Sequence, residues 1–527
     1  MARLQSVVAC LITASFLASC SGGAQSPTPS IAQMPVRSKL PKFLQIGHTP
    51  PRPPARTHHI TAAMRANAKK GGWSPVGGTA PFTGGADTEL LMTDGTVMIS
   101  DACTGNWFRL TPDSTGSYQT GSWSKAASLP SGYAPLYFAS AILPDGKMIV
   151  NGGEYNFCQG AETTLGAIYD PVANSWTSVT GPSGWSRIGD GQSVVLNNGT
   201  YMLGNCCTSV QALYNEGSSS WTQVGTGKND ANSEEGWTLL RTGNLIVADV
   251  LSAPASELYN ASSSSWSSAG NLPQNLTQSD EIGPQVMMPD NKVFVIGANG
   301  YTAIYDANGG KWSKGPMMPK NSSGGQLDIA DGPATVLPDG SVVAAASPGV
   351  YSSPATFVIY KGGKKIEPFA TPASAVNDSS YNIRLLMLPT GQILETDDSN
   401  DVEIYNGKTS ALAGIAPKVT SVSTTLQTNS TNTISGKNFN GFTQDNFYGD
   451  DDQQAENFPL VRITNNSSGV VSYARTSNFK SMAIGSKATT SASFTLSPDT
   501  PTGASTLEVV TNGISSKPVK VTITGTK

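Results

Sequence analysis

A turn residue recurs down most of this chain, and its spacing restricts the fold more than any other feature. Gly95, Gly146, Gly199, Gly243, Asn291, Gly340 and Gly391 follow one another at gaps of 44 to 53 residues. The clearest unit spans 185–224. There an apolar run at 191–196 meets the tight-turn dipeptide Asn198-Gly199, a second run covers 200–203, and a third ends at Tyr214. Four short runs broken by turn residues read as one four-stranded antiparallel blade, and a period of this size fits a propeller. Seven turn positions predict seven blades.

The aromatic residues keep the same beat. Tyr169, Tyr214, Tyr259, Tyr305 and Tyr360 end third strands, with Tyr405 a sixth, and Trp176, Trp221, Trp266 and Trp312 follow the first four after seven residues. Trp123 fills that place in the first unit, while Glu367 stands there in the sixth. Each tryptophan from Trp123 to Trp312 precedes the next turn residue by 22 to 28 positions. Trp73 precedes Gly95 by 22, yet no unit comes before it. It is therefore expected in the outer strand of the last blade, beside strands from about 382–406. That closure removes the exposed edges of an open ring, and it sets the propeller at 71–412.

Composition supports an all-β, turn-rich chain: only 13% of residues are charged, against 55 glycines and 34 prolines. A net charge of −4 and the lack of a basic stripe give no support for a nucleic-acid partner, and none is expected. Residues 1–20 read as an export signal, with Arg3 ahead of an apolar stretch too short to span a membrane. Leu17-Ala18-Ser19-Cys20 resembles the bacterial lipobox, which implies lipidation at Cys20, a cell-envelope location and membrane contact through that anchor alone. In a Gram-negative cell this means the outer membrane, facing the periplasm or the surface. Residues 21–70 are expected to be a Pro/Ser-rich tether holding His48, His58 and His59, with a short helix near 61–69. From 416 to 527 the Val/Ser/Thr alternation predicts a small β-sandwich. A monomer is expected.

The repeat resembles kelch, although its double glycine is clear only at Gly152-Gly153. Ile434-Ser435-Gly436-Lys437-Asn438-Phe439 and Pro501-Thr502-Gly503 resemble immunoglobulin-like E-set domains. A kelch-type propeller followed by an E-set sandwich resembles the galactose-oxidase-like superfamily. That resemblance implies copper-radical chemistry with two imidazoles and two tyrosines on the metal. No histidine follows His59, and 474–479, where relatives are expected to offer one, has none. Copper is not expected.

Carboxylates carry the functional argument. Asp87, Asp190, Glu234 with Glu235, Glu281 and Asp331 recur at the start of the first strand, and Tyr137 and Asn382, with Arg384 close by, occupy the other two units. Loops after second strands open on the same face and add Asp101, Glu154, Asp249, Asp397 and Asp398. Acids gathered at one mouth need a cation, protons or a hydroxyl-rich ligand to offset them. Arg187, Lys228 and Asn232 lie in the same loops and are candidates to fix a polar ligand, with Trp185 and Trp237 as candidate sugar platforms. Three readings stay open: binding of carbohydrate or another small polar ligand, a hydrolase or lyase using paired acids, and a protein-interaction scaffold. Oxygen-only ligands leave calcium as a candidate cofactor.

Cys103, Cys158, Cys206 and Cys207 fall in loops on that face, and an even count in an exported chain implies disulfides. The favoured pairing is Cys103–Cys158 with a vicinal Cys206–Cys207 ring, and a cross pairing of Cys158 is its rival. The acidic run Tyr448-Gly449-Asp450-Asp451-Asp452 reads as a solvated turn or a second calcium candidate.

Overall fold

In the computed structural model, which describes residues 60–407, 409–449 and 451–526, nearly all regular structure is β. Seven four-stranded antiparallel sheets occur among these residues. Each follows the sequence unit: first and second strands joined at the recurrent turn, then a third, then an outer fourth. In the third sheet these are Ser193–Val195, Tyr201–Gly204, Gln211–Asn215 and Ser220–Val224. Burial falls from the inside outward. First and second strands of this sheet are wholly buried, whereas the fourth is mostly exposed. Inner strands are covered on both faces by neighbouring sheets, so they need unbroken apolar runs.

The turn chemistry explains the recurrent glycine. Gly146 N–H donates to Leu143 O and Leu143 N–H to Lys147 O, which places residue 146 in the left-handed region at φ 86°. All seven turn residues have φ between 64° and 87°, including Asn291, the side chain that tolerates this region best after glycine.

The ring is sealed as expected. Trp73–Pro75 pairs antiparallel with Glu403–Tyr405, and Trp73 lies opposite Tyr405. Trp73 is buried, and its indole donates to Ala370 O at 2.8 Å. The same Tyr–Trp pairing recurs at Tyr169/Trp176, Tyr214/Trp221, Tyr259/Trp266 and Tyr305/Trp312. In the sixth sheet the sequence reading needs correction. Tyr360 faces Ile366, not Glu367, because that hairpin is one residue shorter.

The chain enters this body earlier than the tether reading placed it. Helix α1, Ala62–Gly71, is capped by Thr61, which accepts from Met64 N–H. Arg65 meets Asp401 at 3.0 Å, and Met64 packs on the core near Trp73. Cys20, His48, His58 and His59 lie outside the described residues, as do the expected signal segment and most of the tether.

Residues 418–524 form a curled nine-stranded sheet. One strand, Val471–Ser477, pairs with Leu460–Asn465 through its first half and with Thr490–Thr495 through its second. This sheet sits on the turn face of the propeller. Thr476 N–H donates to Thr93 O, Phe479 to Pro144 O and Met482 to Asn197 O, at 2.9–3.1 Å. The stretch 474–479 is therefore on the face opposite the acidic mouth.

What reaches the mouth is the loop formed by 443–449 and 451–457, threaded up the central channel. The first strand of each sheet is an edge, with N–H and C=O groups facing the channel, and buried backbone groups need partners. The loop supplies them. Leu239 N–H donates to Gln444 Oε1, Val336 to Asp445 Oδ1 and Met387 to Asn446 Oδ1, at 2.7–3.1 Å. Phe447 and Ala334 exchange two backbone bonds, and Gln454 Nε2 donates to Glu89 O at 3.0 Å. The described residues of the acidic run are not those of a solvated turn: Tyr448, Asp451 and Asp452 are fully buried.

Candidate functional site

The mouth opposite the curled sheet is built around one cation. Arg384, at the start of a first strand and fully buried, places Nη2 2.8 Å from Asp87 Oδ1 and 2.9 Å from Asp452 Oδ2. Its Nη1 donates to Asn382 O at 3.1 Å, and its guanidinium lies 4.9 Å from the Tyr448 ring and 5.2 Å from that of Tyr137. Thr88 Oγ1 holds the other Asp452 oxygen at 2.7 Å. Burial pushes the Asp87 carboxyl upward while Arg384 pulls it back. The channel-threading loop and the first and seventh sheets are locked together here.

Around this post the acids sort into two kinds. Several hold loops. Asp101 accepts from the N–H groups of Thr83, Gly84 and Gly85, and Asp230 from Leu251 N–H and Ser252 Oγ. Others converge on each other. Glu234, Glu281 and Asp331 each bring an oxygen to within 4.8 Å of the other two, and all three are buried. Tyr351 Oη donates to Glu281 Oε1, and burial first, then the neighbouring carboxylates, drive the Tyr351 phenol upward. Tyr351 and Tyr381 meet edge to face at 5.3 Å. Glu234, Asp331 and Tyr137, at related positions before first strands, all have left-handed φ of 52–56°. Non-glycine residues held there carry strain, which clusters at ligand sites.

Glu235, next along, turns the other way. Its Oε1 lies 2.8 Å from Lys228 Nζ, which also meets Glu257 at 3.1 Å. Burial pushes the Glu235 carboxyl up to about 8 and that of Asp249 up to about 7, each partly offset by Lys228. Burial works against the Lys228 charge, but Glu235 and Glu257 outweigh it and raise its pKa. Lys228 is therefore committed inside the protein, contrary to the ligand-holding role read from the sequence. Asn232 is committed too, donating to Val210 O at 2.8 Å and accepting from Gln211 Nε2 at 3.0 Å. Trp237 is fully buried against Trp266 and offers no platform. Trp185 and Arg187 remain partly exposed.

Asp190 sits with Glu162 and Cys206, one ligand atom of each within 4.8 Å of the others. Cys103 and Cys158 are joined by a disulfide, the pairing favoured from the sequence. The vicinal ring is corrected: Cys206 and Cys207 carry free thiols. They are hydrogen-bonded to each other, and that bond, with burial, drives the Cys206 thiol up while it lowers that of Cys207. Beside the disulfide, the hairpin Tyr155–Asn156 and Gln159–Gly160 presents Phe157, 50% exposed. Sequence reasoning missed Phe157, Tyr351 and Tyr381, which belong to no repeat position.

Among solved structures the fold is similar to that of a fungal alcohol oxidase of the AA5 family in complex with copper. It covers 86% of this chain and 99% of that one, with TM-score 0.50 and 15% sequence identity. At that identity the likeness is one of fold alone. A streptogramin B lyase matches 63% of this chain and 96% of its own at 8% identity and TM-score 0.46. YCF48 bound to D1 peptide matches 65% and 97% at 14% identity and TM-score 0.44. These two are too loose to bear on function. No protein-family model matches the chain, and no curated protein matches it.

The fold likeness raises copper, and the side chains at the mouth do not fit it. The described donors there are carboxylates, phenols and the thiols of Cys206 and Cys207, with no imidazole in 60–526, and the position between Asp87 and Asp452 is taken by the Arg384 guanidinium. Imidazole is the usual protein ligand of copper(II).

Proposed function

We propose that this protein binds a carbohydrate or another hydroxyl-rich ligand at the acidic mouth. The observation that carries the reading is the convergence of Glu234, Glu281 and Asp331 within 4.8 Å beside the half-buried Tyr351. Carboxylates grip paired hydroxyls through charge-assisted hydrogen bonds, and aromatic faces take the apolar side of a sugar ring. Phe157, on a hairpin tied down by the Cys103–Cys158 disulfide, supplies an exposed face on the same side of the propeller. Glycan-array screening followed by calorimetry tests this. Glu281→Gln is expected to weaken binding at least tenfold, and Phe157→Ala several-fold. Unchanged affinity in both rejects the mouth as the site and leaves the scaffold reading.

A second reading rests on the same spacing. Carboxyl groups about 5 Å apart suit retaining glycoside hydrolysis, with one acid and one nucleophile. Sugar release that is lost in Glu281→Gln moves the assignment from binding to turnover. The chain is further read as a kelch-type propeller with an E-set sandwich, anchored through Cys20 to the cell envelope. Cys20→Ser is expected to release it from membranes into the soluble fraction.

A further inference from the structure

A second group of acids lies on the other side of the Glu234–Glu235 step. There Asp230, Glu235, Asp249 and Glu257 lie together, and the Lys228 ammonium meets two of them, Glu235 at 2.8 Å and Glu257 at 3.1 Å. Glu257 is fully engaged, accepting from Lys228 Nζ and from the N–H groups of Asn229 at 2.8 Å and Asp230 at 3.1 Å. Asp230 is held by Leu251 N–H at 3.1 Å and Ser252 Oγ at 2.9 Å. Asp249 differs. It is only 2% exposed, and neither of its carboxylate oxygens accepts a hydrogen bond. One of those oxygens lies within 4.8 Å of an oxygen of Asp230 and one of Glu235. A carboxylate removed from water with no donor is costly unless a counter-charge meets it.

We propose that Asp230, Glu235 and Asp249 bind one hard divalent cation of the calcium class. Every donor is an oxygen, the ligand set such ions take. Lys228 acts as a positioning residue: it meets Glu235 Oε1 at 2.8 Å and leaves Oε2 without a hydrogen bond. Asp230 is pre-set by backbone and hydroxyl donors, so little ordering is left for the ion to impose. The cation would tie the loop at 228–235 to the one at 249–252. It would thereby fix one wall of the mouth, since Glu234 is the residue next to its ligand. The site does not depend on what the mouth binds.

The test uses the mature chain stripped with a chelator and titrated with calcium chloride in a calorimeter. One equivalent is expected, with a rise in melting temperature. Terbium in place of calcium is expected to luminesce on tryptophan excitation, since the Trp266 ring lies 4.8 Å from Lys228 Nζ. Asp249→Asn should lower calcium affinity at least tenfold, while Glu281→Gln should leave it unchanged. The proposal is overturned by an absence of binding heat and melting shift, by unchanged affinity in Asp249→Asn, or by loss confined to Glu281→Gln. If Asp249→Asn does not fold, terbium-soaked crystals of the wild-type protein decide. An anomalous peak among Asp230, Glu235 and Asp249 upholds the site, and a peak elsewhere or none rejects it.

Discussion

Arg384 shows how much can depend on one side chain. It is the cation between Asp87 and Asp452, and all three side chains are fully buried. Breaking a buried pair by removing one partner typically costs about 3–5 kcal/mol, because a buried charge is left behind. Arg384→Ala is expected to destabilise the fold by about that amount in urea unfolding. Asp452→Asn, which keeps the shape, should cost less. Other buried acids set a pH dependence. Burial pushes the carboxyls of Asp328 and Glu403 up to about 7. A raised carboxyl binds its proton more tightly in the folded state than in the unfolded one. Its contribution is therefore complete below the unfolded value near 4 and is lost as pH rises through about 7. The melting temperature is expected to fall between pH 5 and pH 8, and Asp328→Asn should flatten part of that slope. A melting temperature that rises over this range contradicts the assignment.

Among the elements, the closing strand matters most for the ring. Trp73 fills the space between Phe357 and Tyr405, its ring 5.4 Å from each. Truncating a buried tryptophan typically costs about 3–5 kcal/mol. Trp73→Ala is expected to lose that much and to broaden thermal unfolding, which scanning calorimetry would register. This strand was readable from sequence because a tryptophan at a fixed interval had nowhere else to pair. The sixth sheet was misread by one residue because counting along the chain cannot see a shorter hairpin. The loop 443–457 escaped for a deeper reason. Most of its side chains are polar, and polarity ordinarily marks solvent. Here the partners are backbone groups of first strands, and no local pattern announces a partner on another sheet. The acids are legible in the sequence as a recurrent set, but their sorting into loop-holding and converging groups depends on backbone bends such as φ 55° at Glu234.

For the molecule as a whole, propeller and curled sheet stand or fall together. The innermost strands rely on Gln444, Asp445 and Asn446 for hydrogen-bond partners. A chain ending at 412 is expected to expose those strand edges and to aggregate on purification, which light scattering would show against the intact protein. The threading also fixes an order of events. The floor of the mouth is made by Tyr448 and Asp452, delivered from the last quarter of the polypeptide, whereas the walls come from segments synthesised long before. No truncated chain can present a finished opening. The opening is completed only when the tail end docks, so an incomplete copy carries no partly built version of it.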